Sequence, residues 1–132
     1  MSAVWQWVSV EAAMKAHARQ IEVYGGGGSA LRDADRLAAA MMQPQMIASY
    51  EPDSDAAKLA ASYAFGLAKG HPFVDGNKRV AWVVARLFLL KNGMTLIVDN
   101  DQKYDRMYAL AAGTLSETEF ADWLRANTAP KE

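Results

Sequence analysis

The longest apolar run, VAWVVARLFLL from Val80 to Leu90, limits what this chain can fold into. Its one charged residue is Arg86, so the run has almost no polar face to turn towards water. A helix that is apolar nearly all round belongs in the centre of a domain, where other elements cover it. The run is also too short to span a bilayer. The sequence therefore predicts a central buried helix and no membrane segment.

The composition fits one globular domain over residues 1–132. Hydrophobic residues make up 52 % of the chain and charged residues 22 %, which is typical of a folded domain. The formal net charge of −1 provides no broad field for nucleic acid or an anionic membrane. No cysteine is present, which excludes disulfides and thiolate metal sites. The N-terminal residues also lack a signal-peptide pattern, so we expect a cytoplasmic protein.

Periodicity and capping residues predict an all-α bundle of about six helices, which includes the central one. Ser9 opens a first helix over residues 10–24, Asp33 opens a second that ends at Met42 before Pro44, and Asp53 or Ser54 opens a third that Gly70 closes. Asn92-Gly93 ends the central helix, a short strand or extended connection follows at residues 95–99, and residues 101–112 form a helix with Tyr104, Met107, Tyr108 and Ala111 facing inward. Ser116 and Glu119 form the capping box of the last helix.

Two segments between these helices are expected to be irregular. The stretch QPQMIASYEP, residues 43–52, is flanked by prolines and predicts a small hairpin or extended flap. Gly25 to Gly28 end the first helix, either as a flexible loop or as a mobile rim that a partner orders.

The polar stretch GHPFVDGNKRVAW, Gly70 to Trp82, lies at the foot of the apolar run. Gly76-Asn77 allows a tight turn whose N–H groups converge, and the following helix N-terminus adds further donors and a positive dipole end. Lys78 and Arg79 then stand in the first turn of that helix, where a cation is disfavoured by roughly 0.3–1 kcal/mol. A bound polyanion would reverse the sign of that effect. The stretch therefore predicts a phosphate-binding site.

Two residues of this stretch, His71 and Asp75, each have two interpretations. Pro72 should hold His71 in an extended conformation, where it is either a plain loop histidine or a general base. Asp75 either caps the central helix or holds Mg²⁺ together with phosphate oxygens. Phe73, and with it Val74, is expected to anchor the loop in the core. His17 has no such neighbours in sequence and is interpreted as a packing or surface histidine.

Two common alternatives do not match the sequence. A Walker A loop needs G-x-x-x-x-G-K-[ST], whereas Gly76 is followed by Asn77. A histidine zinc site lacks ligands, because the chain has two histidines and no HExxH motif.

The stretch HPFVDGNKR resembles the motif of the Fic/Doc superfamily, H-x-F-x-[DE]-[AG]-N-[GK]-R, at each of its seven defined positions. The upstream stretch HARQIEVYGGGGSALRDADRLAAAMMQP is similar to the corresponding region of death-on-curing (Doc) toxins. Family members that transfer AMP have Gly where Lys78 stands and often a second Arg where Trp82 stands. Both positions therefore favour the Doc type, while Gly76 in place of Ala is typical of the AMP-transferring members.

The resemblance implies a protein kinase that transfers the γ-phosphate of ATP to a threonine of elongation factor Tu and so blocks translation. It makes His71 the base for the target hydroxyl and Asp75 the acid that binds Mg²⁺ or orients phosphate. Gly76 and Asn77 would form the anion hole, and Lys78 and Arg79 would neutralise the transferred group. The flap at residues 43–52 would dock the target peptide.

The resemblance also implies control by a partner. A Phd-like antitoxin would cover the site, because the sequence shows no built-in inhibitory helix of the [ST]-x-x-x-E-[GN] kind. Two alternatives stay open: an AMP transferase of the same fold, and a catalytically silent binding module.

Overall fold

The computed structural model describes residues 4–24 and 31–131, and those ranges form six helices and two short strands. In chain order they are α1 (Val10–Tyr24), α2 (Ala34–Tyr50), α3 (Ala56–Gly70), α4 (Asn77–Lys91), β1 (Met94–Leu96), α5 (Asn100–Ala112), α6 (Glu117–Ala126) and β2 (Thr128–Pro130). The predicted all-α class with about six helices is confirmed. Gly25 to Gly28 lie outside the described residues.

Helices α3 and α4 form the centre of the molecule and pack against each other. The predicted buried helix is confirmed in α4, where Val80, Val84 and Phe88 are fully buried and Arg86 faces solvent. Helix α3 also contacts α2, α5 and α6, because its alanines and Gly66 allow close approach. A Cβ built on Gly66 would lie 3.0 Å from the Cβ of Ala40 on α2.

Helix α2 is longer than the sequence predicts. It continues through Pro44 to Tyr50, so both its expected end at Met42 and the expected flap at residues 43–52 are wrong. Proline removes one backbone hydrogen bond from a helix. Here Pro44 is itself buried, and Ile47 and Ala48 in the next turn pack against the core. That burial offsets the lost hydrogen bond.

The predicted N-caps of α1, α2 and α6 are confirmed, whereas that of α3 is not. The carboxylates of Asp33 and Asp55 accept the N–H three residues later, each at 3.0 Å, and begin α2 and α3. The predicted cap of α3 at Asp53 or Ser54 is therefore wrong. Ser54 turns its hydroxyl back to the carbonyl of Glu51 instead, at 2.8 Å. The capping box of Ser116 and Glu119 at α6 is confirmed.

The C-terminal part contains the predicted short strand and helix, with one difference in orientation. Strand β1 pairs with β2 in antiparallel register. On α5, Met107 and Leu110 are buried, whereas Tyr104 and Tyr108 are 66 % and 58 % exposed. The expectation that both tyrosines face inward is wrong, because the buried face centres on Met107, Leu110 and their neighbour Ala111. Within the described residues, no helix combines the length and apolarity needed to cross a bilayer.

Candidate active site

The loop between α3 and α4 begins with a residue in an unusual backbone conformation. His71 is the C-cap of α3 in the left-handed region, with φ 48° and ψ 56°, and it is the one non-glycine residue with positive φ in the described ranges. The expected extended conformation is therefore wrong. The turn is held in place because the carbonyl of Pro72 accepts N–H groups from Arg32 and Asp33, at 2.7 and 3.0 Å. Strain of this kind is concentrated at functional positions.

Phe73 fixes the loop to the core. Its side chain is 1 % exposed, and its backbone forms an isolated antiparallel bridge with Leu31. Val74, by contrast, is 53 % exposed, so the expectation that it also anchors the loop is wrong. Pro72 beside Phe73 is also buried, while Val74 and Asp75 face solvent.

Asn77, the first residue of α4, organises the loop through its buried side chain. Its Oδ1 accepts the N–H of Phe73 at 3.0 Å, and its Nδ2 donates to the carbonyl of the same residue at 2.9 Å. These two bonds fix which way the amide points. The same Nδ2 lies 3.2 Å from Nδ1 of His71. An amide nitrogen can only donate, so Nδ1 of His71 accepts this bond and the neutral ring carries its proton on Nε2.

The N-terminus of α4 has no side-chain cap. Gly76 is the N-cap, with φ 79°, and no acidic residue lies in the first turn. The carboxylate of Asp75 accepts the N–H of Gly76 at 2.8 Å, so Asp75 precedes the cap position and does not occupy it. The first N–H groups of a helix have no partner within the helix. This helix end is therefore suited to an anion.

Two exposed cations flank this helix end. Nζ of Lys78 lies 5.8 Å from the ring centre of Tyr108, and Cζ of Arg79 lies 5.0 Å from that of Tyr24. Neither cation belongs to a salt bridge among the described residues. Both cations therefore contact aromatic rings and have no acidic partner within the described residues.

His17 is a component of this region that sequence reasoning did not connect with it. The ring is buried, as the packing interpretation predicts. It stacks on Phe73 with centres 3.8 Å apart, and its Nε2 lies 2.7 Å from the carbonyl oxygen of Asp75. The sequence did contain one signal: His17 is spaced four residues from both Ala13 and Ile21 on one face of α1. This spacing predicts that His17 points inward, but it does not identify the residue that His17 contacts.

The residues present fit a nucleotide with Mg²⁺. One exposed carboxylate, Asp75, stands at a helix N-terminus beside two cations, and Mg²⁺ is commonly held by one or two carboxylates together with phosphate oxygens. Asp75 would hold the ion, and the helix end with Lys78 and Arg79 would hold the phosphates.

The structure thus defines a helical protein in which the central helix begins without a side-chain cap beside two exposed cations. Comparison with known proteins gives the family. A sequence model of the Fic/DOC family matches residues 7–89, and the chain belongs to that family.

Two relatives extend the match. Protein kinase doc of Escherichia phage P1 is 34 % identical over 118 residues, which cover 89 % of this chain and 92 % of that protein. Toxin Doc of Mycolicibacterium smegmatis is 41 % identical over 80 residues, which cover 58 % of this chain and 59 % of that protein. The chain is therefore a Fic/Doc family member of the Doc type.

Proposed function

We propose that this chain is a Doc-type toxin and a protein kinase, which transfers the γ-phosphate of ATP to a threonine hydroxyl of elongation factor Tu and so blocks translation. Its similarity to a phage protein named as a kinase and to a protein named as a toxin supports this proposal. The kinase activity in the name of the phage relative is a statement about that protein. The loop residues of this chain are the reason to propose the same activity here.

The observation that carries the proposal is the pair Lys78 and Trp82. Lys78 stands exposed in the first turn of α4, where AMP-transferring relatives have glycine. Trp82 is 8 % exposed and packs against Trp123, where those relatives often have a second arginine. Compared with the AMP-transferring members, the site thus lacks one guanidinium group and gains one ammonium group. This difference favours phosphate transfer over AMP transfer.

Each residue of the loop has a role in that reaction. The hydroxyl oxygen attacks the γ-phosphorus, the bond from that phosphorus to the β–γ bridging oxygen breaks, ADP leaves, and His71 takes the hydroxyl proton. Asp75 would hold Mg²⁺, which would supply positive charge beside the phosphates. The N–H groups of Gly76 and Asn77 bind the phosphoryl oxygens, while Lys78 and Arg79 stabilise the charge of the transferred group.

Proton transfer requires one local change at His71. In the structure Nδ1 accepts the amide of Asn77, so a neutral ring has its proton on Nε2. To accept the hydroxyl proton at Nε2, the neutral ring must carry its own proton on Nδ1. That Nδ1–H cannot face Nδ2 of Asn77, because both groups are hydrogen-bond donors. Binding of the target is therefore accompanied by release of this contact, which at 3.2 Å is the longest of the three that Asn77 makes.

The partners follow from the same proposal. A Phd-like antitoxin covers the exposed site and neutralises the toxin, and the reaction takes place in the cytoplasm. The antitoxin then acts by excluding either the nucleotide or the target from the N-terminus of α4.

Transfer from labelled ATP tests the proposal. The purified chain is incubated with elongation factor Tu and ATP labelled in the γ or the α position, with His71→Ala as the matched control. Label from the γ position on a threonine, absent with the control, is the expected result. Label from the α position would overturn the kinase in favour of the AMP transferase. No label from either position would favour a binding module.

A further inference from the structure

His17 lies on α1, 58 residues from the loop that it contacts. Its ring is 1 % exposed, and a buried polar ring needs a hydrogen-bond partner. The partner is the backbone carbonyl of Asp75, with Nε2 at 2.7 Å. Because a carbonyl oxygen can only accept, Nε2 of His17 carries a proton and donates it.

The same ring also stacks on one loop residue and faces another. It lies parallel to Phe73, with 6° between the ring planes. A Cβ built on Gly76 would lie 3.5 Å from Nε2 of His17 and 3.6 Å from Cδ1 of Ile21, so these two side chains of α1 face the Gly76 position.

The hydrogen bond from His17 selects one orientation of the peptide unit between Asp75 and Gly76. The carbonyl of that unit points to His17, and its N–H points the opposite way, to the Asp75 carboxylate at 2.8 Å. Rotation of the unit by half a turn would replace this N–H with a carbonyl oxygen at the start of α4. Gly76 would not prevent the rotation, since glycine accepts φ of either sign.

We propose that His17 is a positioning residue of the anion site: its Nε2–H holds the Asp75 carbonyl inward and so keeps the Gly76 N–H directed outward, where the Asp75 carboxylate accepts it in the free protein and a phosphate oxygen replaces that carboxylate on binding. The proposal rests on the function above, since it assigns the phosphate to a nucleotide. The same contact also orients the Asp75 side chain, because the carboxylate lies on the N–H side of this peptide unit and the carbonyl points to the opposite side.

Three variants separate the hydrogen bond from packing. His17→Phe keeps an aromatic ring against Phe73 but has no donor. His17→Gln has no ring, but its side-chain amide nitrogen reaches a position close to that of Nε2 and can donate. Ile21→Val removes packing under Gly76 and leaves the hydrogen bond intact.

The test is the affinity of the full chain for ATP with Mg²⁺, measured by calorimetry, with the thermal unfolding midpoint recorded for each variant. We expect His17→Phe to weaken binding about tenfold, which corresponds to about 1.4 kcal/mol. His17→Gln should recover most of that affinity. Ile21→Val should lower the unfolding midpoint without changing the affinity for ATP. Equal losses in the Phe and Gln variants, or wild-type affinity in His17→Phe, would overturn the proposal.

Binding is read without any transfer reaction, so this result is distinguishable from failure of the proposed function. If ATP binds with the expected pattern but no label reaches the target, the kinase proposal fails and the role of His17 stands. If the wild-type chain binds no ATP, both fail.

Discussion

Nδ2 of Asn77 lies 3.2 Å from Nδ1 of His71, while the rest of the Asn77 side chain is tied to the backbone of Phe73. The orientation of the exposed histidine ring is thus set by a buried amide. Because one partner is exposed and the other buried, their replacement should have separable effects on chemistry and on stability.

Replacement of His71 should remove activity and leave the fold intact. The ring is exposed, so His71→Ala removes little packing, whereas a second variant, His71→Gly, also relieves the left-handed backbone. We expect neither variant to transfer phosphate, and His71→Gly to be about 1 kcal/mol more stable than His71→Ala. Urea denaturation of the two variants in parallel measures the difference. Residual transfer by the folded Ala variant would exclude His71 as the base.

Replacement of Asn77 should destabilise the protein as well as inactivate it. Asn77→Ala leaves the N–H and the carbonyl of Phe73 without their partner, and each buried unsatisfied group costs about 1–3 kcal/mol. The free energy of unfolding in urea should therefore fall by at least about 2 kcal/mol. Lys78→Ala, one position further along the same helix but exposed, is the control that should show no such loss. A fully stable Asn77→Ala variant would show that the loop is anchored by other contacts.

Lys78 should have opposite effects on stability and on nucleotide binding. It lies at the positive end of the α4 dipole, so Lys78→Ala should raise the stability of the free protein by about 0.3–1 kcal/mol. The same change should weaken ATP binding about tenfold or more, because a phosphate contact is lost. Lys91→Ala, in the last turn of the same helix, should reduce stability slightly and leave binding unchanged. Unaltered ATP affinity in Lys78→Ala would remove this residue from the phosphate site.

The ion pair of Asp55 with Arg125 should appear as acid sensitivity. Two hydrogen bonds from Arg125, at 2.6 and 3.0 Å, lower the pKa of Asp55 below its usual 3.8. The ionised form is favoured in the folded state, so its contribution is present above pH 3.8 and is lost as pH falls through the lower folded pKa. Both side chains are nearly half exposed, so the contribution should stay below about 1 kcal/mol.

Urea midpoints measured from about pH 6 down to about pH 3 check this expectation. Asp55→Asn should be less stable at the upper end and should lose less on acidification than the wild type. Glu117 is the control of opposite sign, because burial raises its pKa. The folded state favours its protonated form, so Glu117→Gln should remove a small stabilisation that the wild type gains as pH falls. Parallel curves for the wild type and Asp55→Asn would contradict the assignment.

The sequence predicted the elements that local chemistry determines. The helix starts at Ser9, Asp33 and Ser116 depend on a side chain that bonds an N–H a few residues away, and such spacing is visible in one dimension. The buried position of α4 follows from its composition for a similar reason. The phosphate site in the loop before α4 was inferred from the cost of cations at a helix start, and it stays a prediction.

Features that depend on tertiary contacts were not predictable in this way. Pro44 remains within a helix because neighbouring turns are buried, and Tyr108 is exposed because α5 turns a different face inward. His71 departs from the extended conformation because contacts with residues 31–33 hold the turn at Pro72. The hydrogen-bond partner of His17 was not predictable for the same reason, since it lies 58 residues away in the sequence.

The support that His17 gives to the loop affects how far the motif can be moved between proteins. All seven defined motif positions lie within residues 71–79, but the loop is held in shape by α1 and by residues 31–33. A designer who grafted those nine residues onto another helical scaffold would transfer their identities without their geometry. The smallest portable unit of this site therefore includes the face of α1 beneath Gly76 as well as the motif itself.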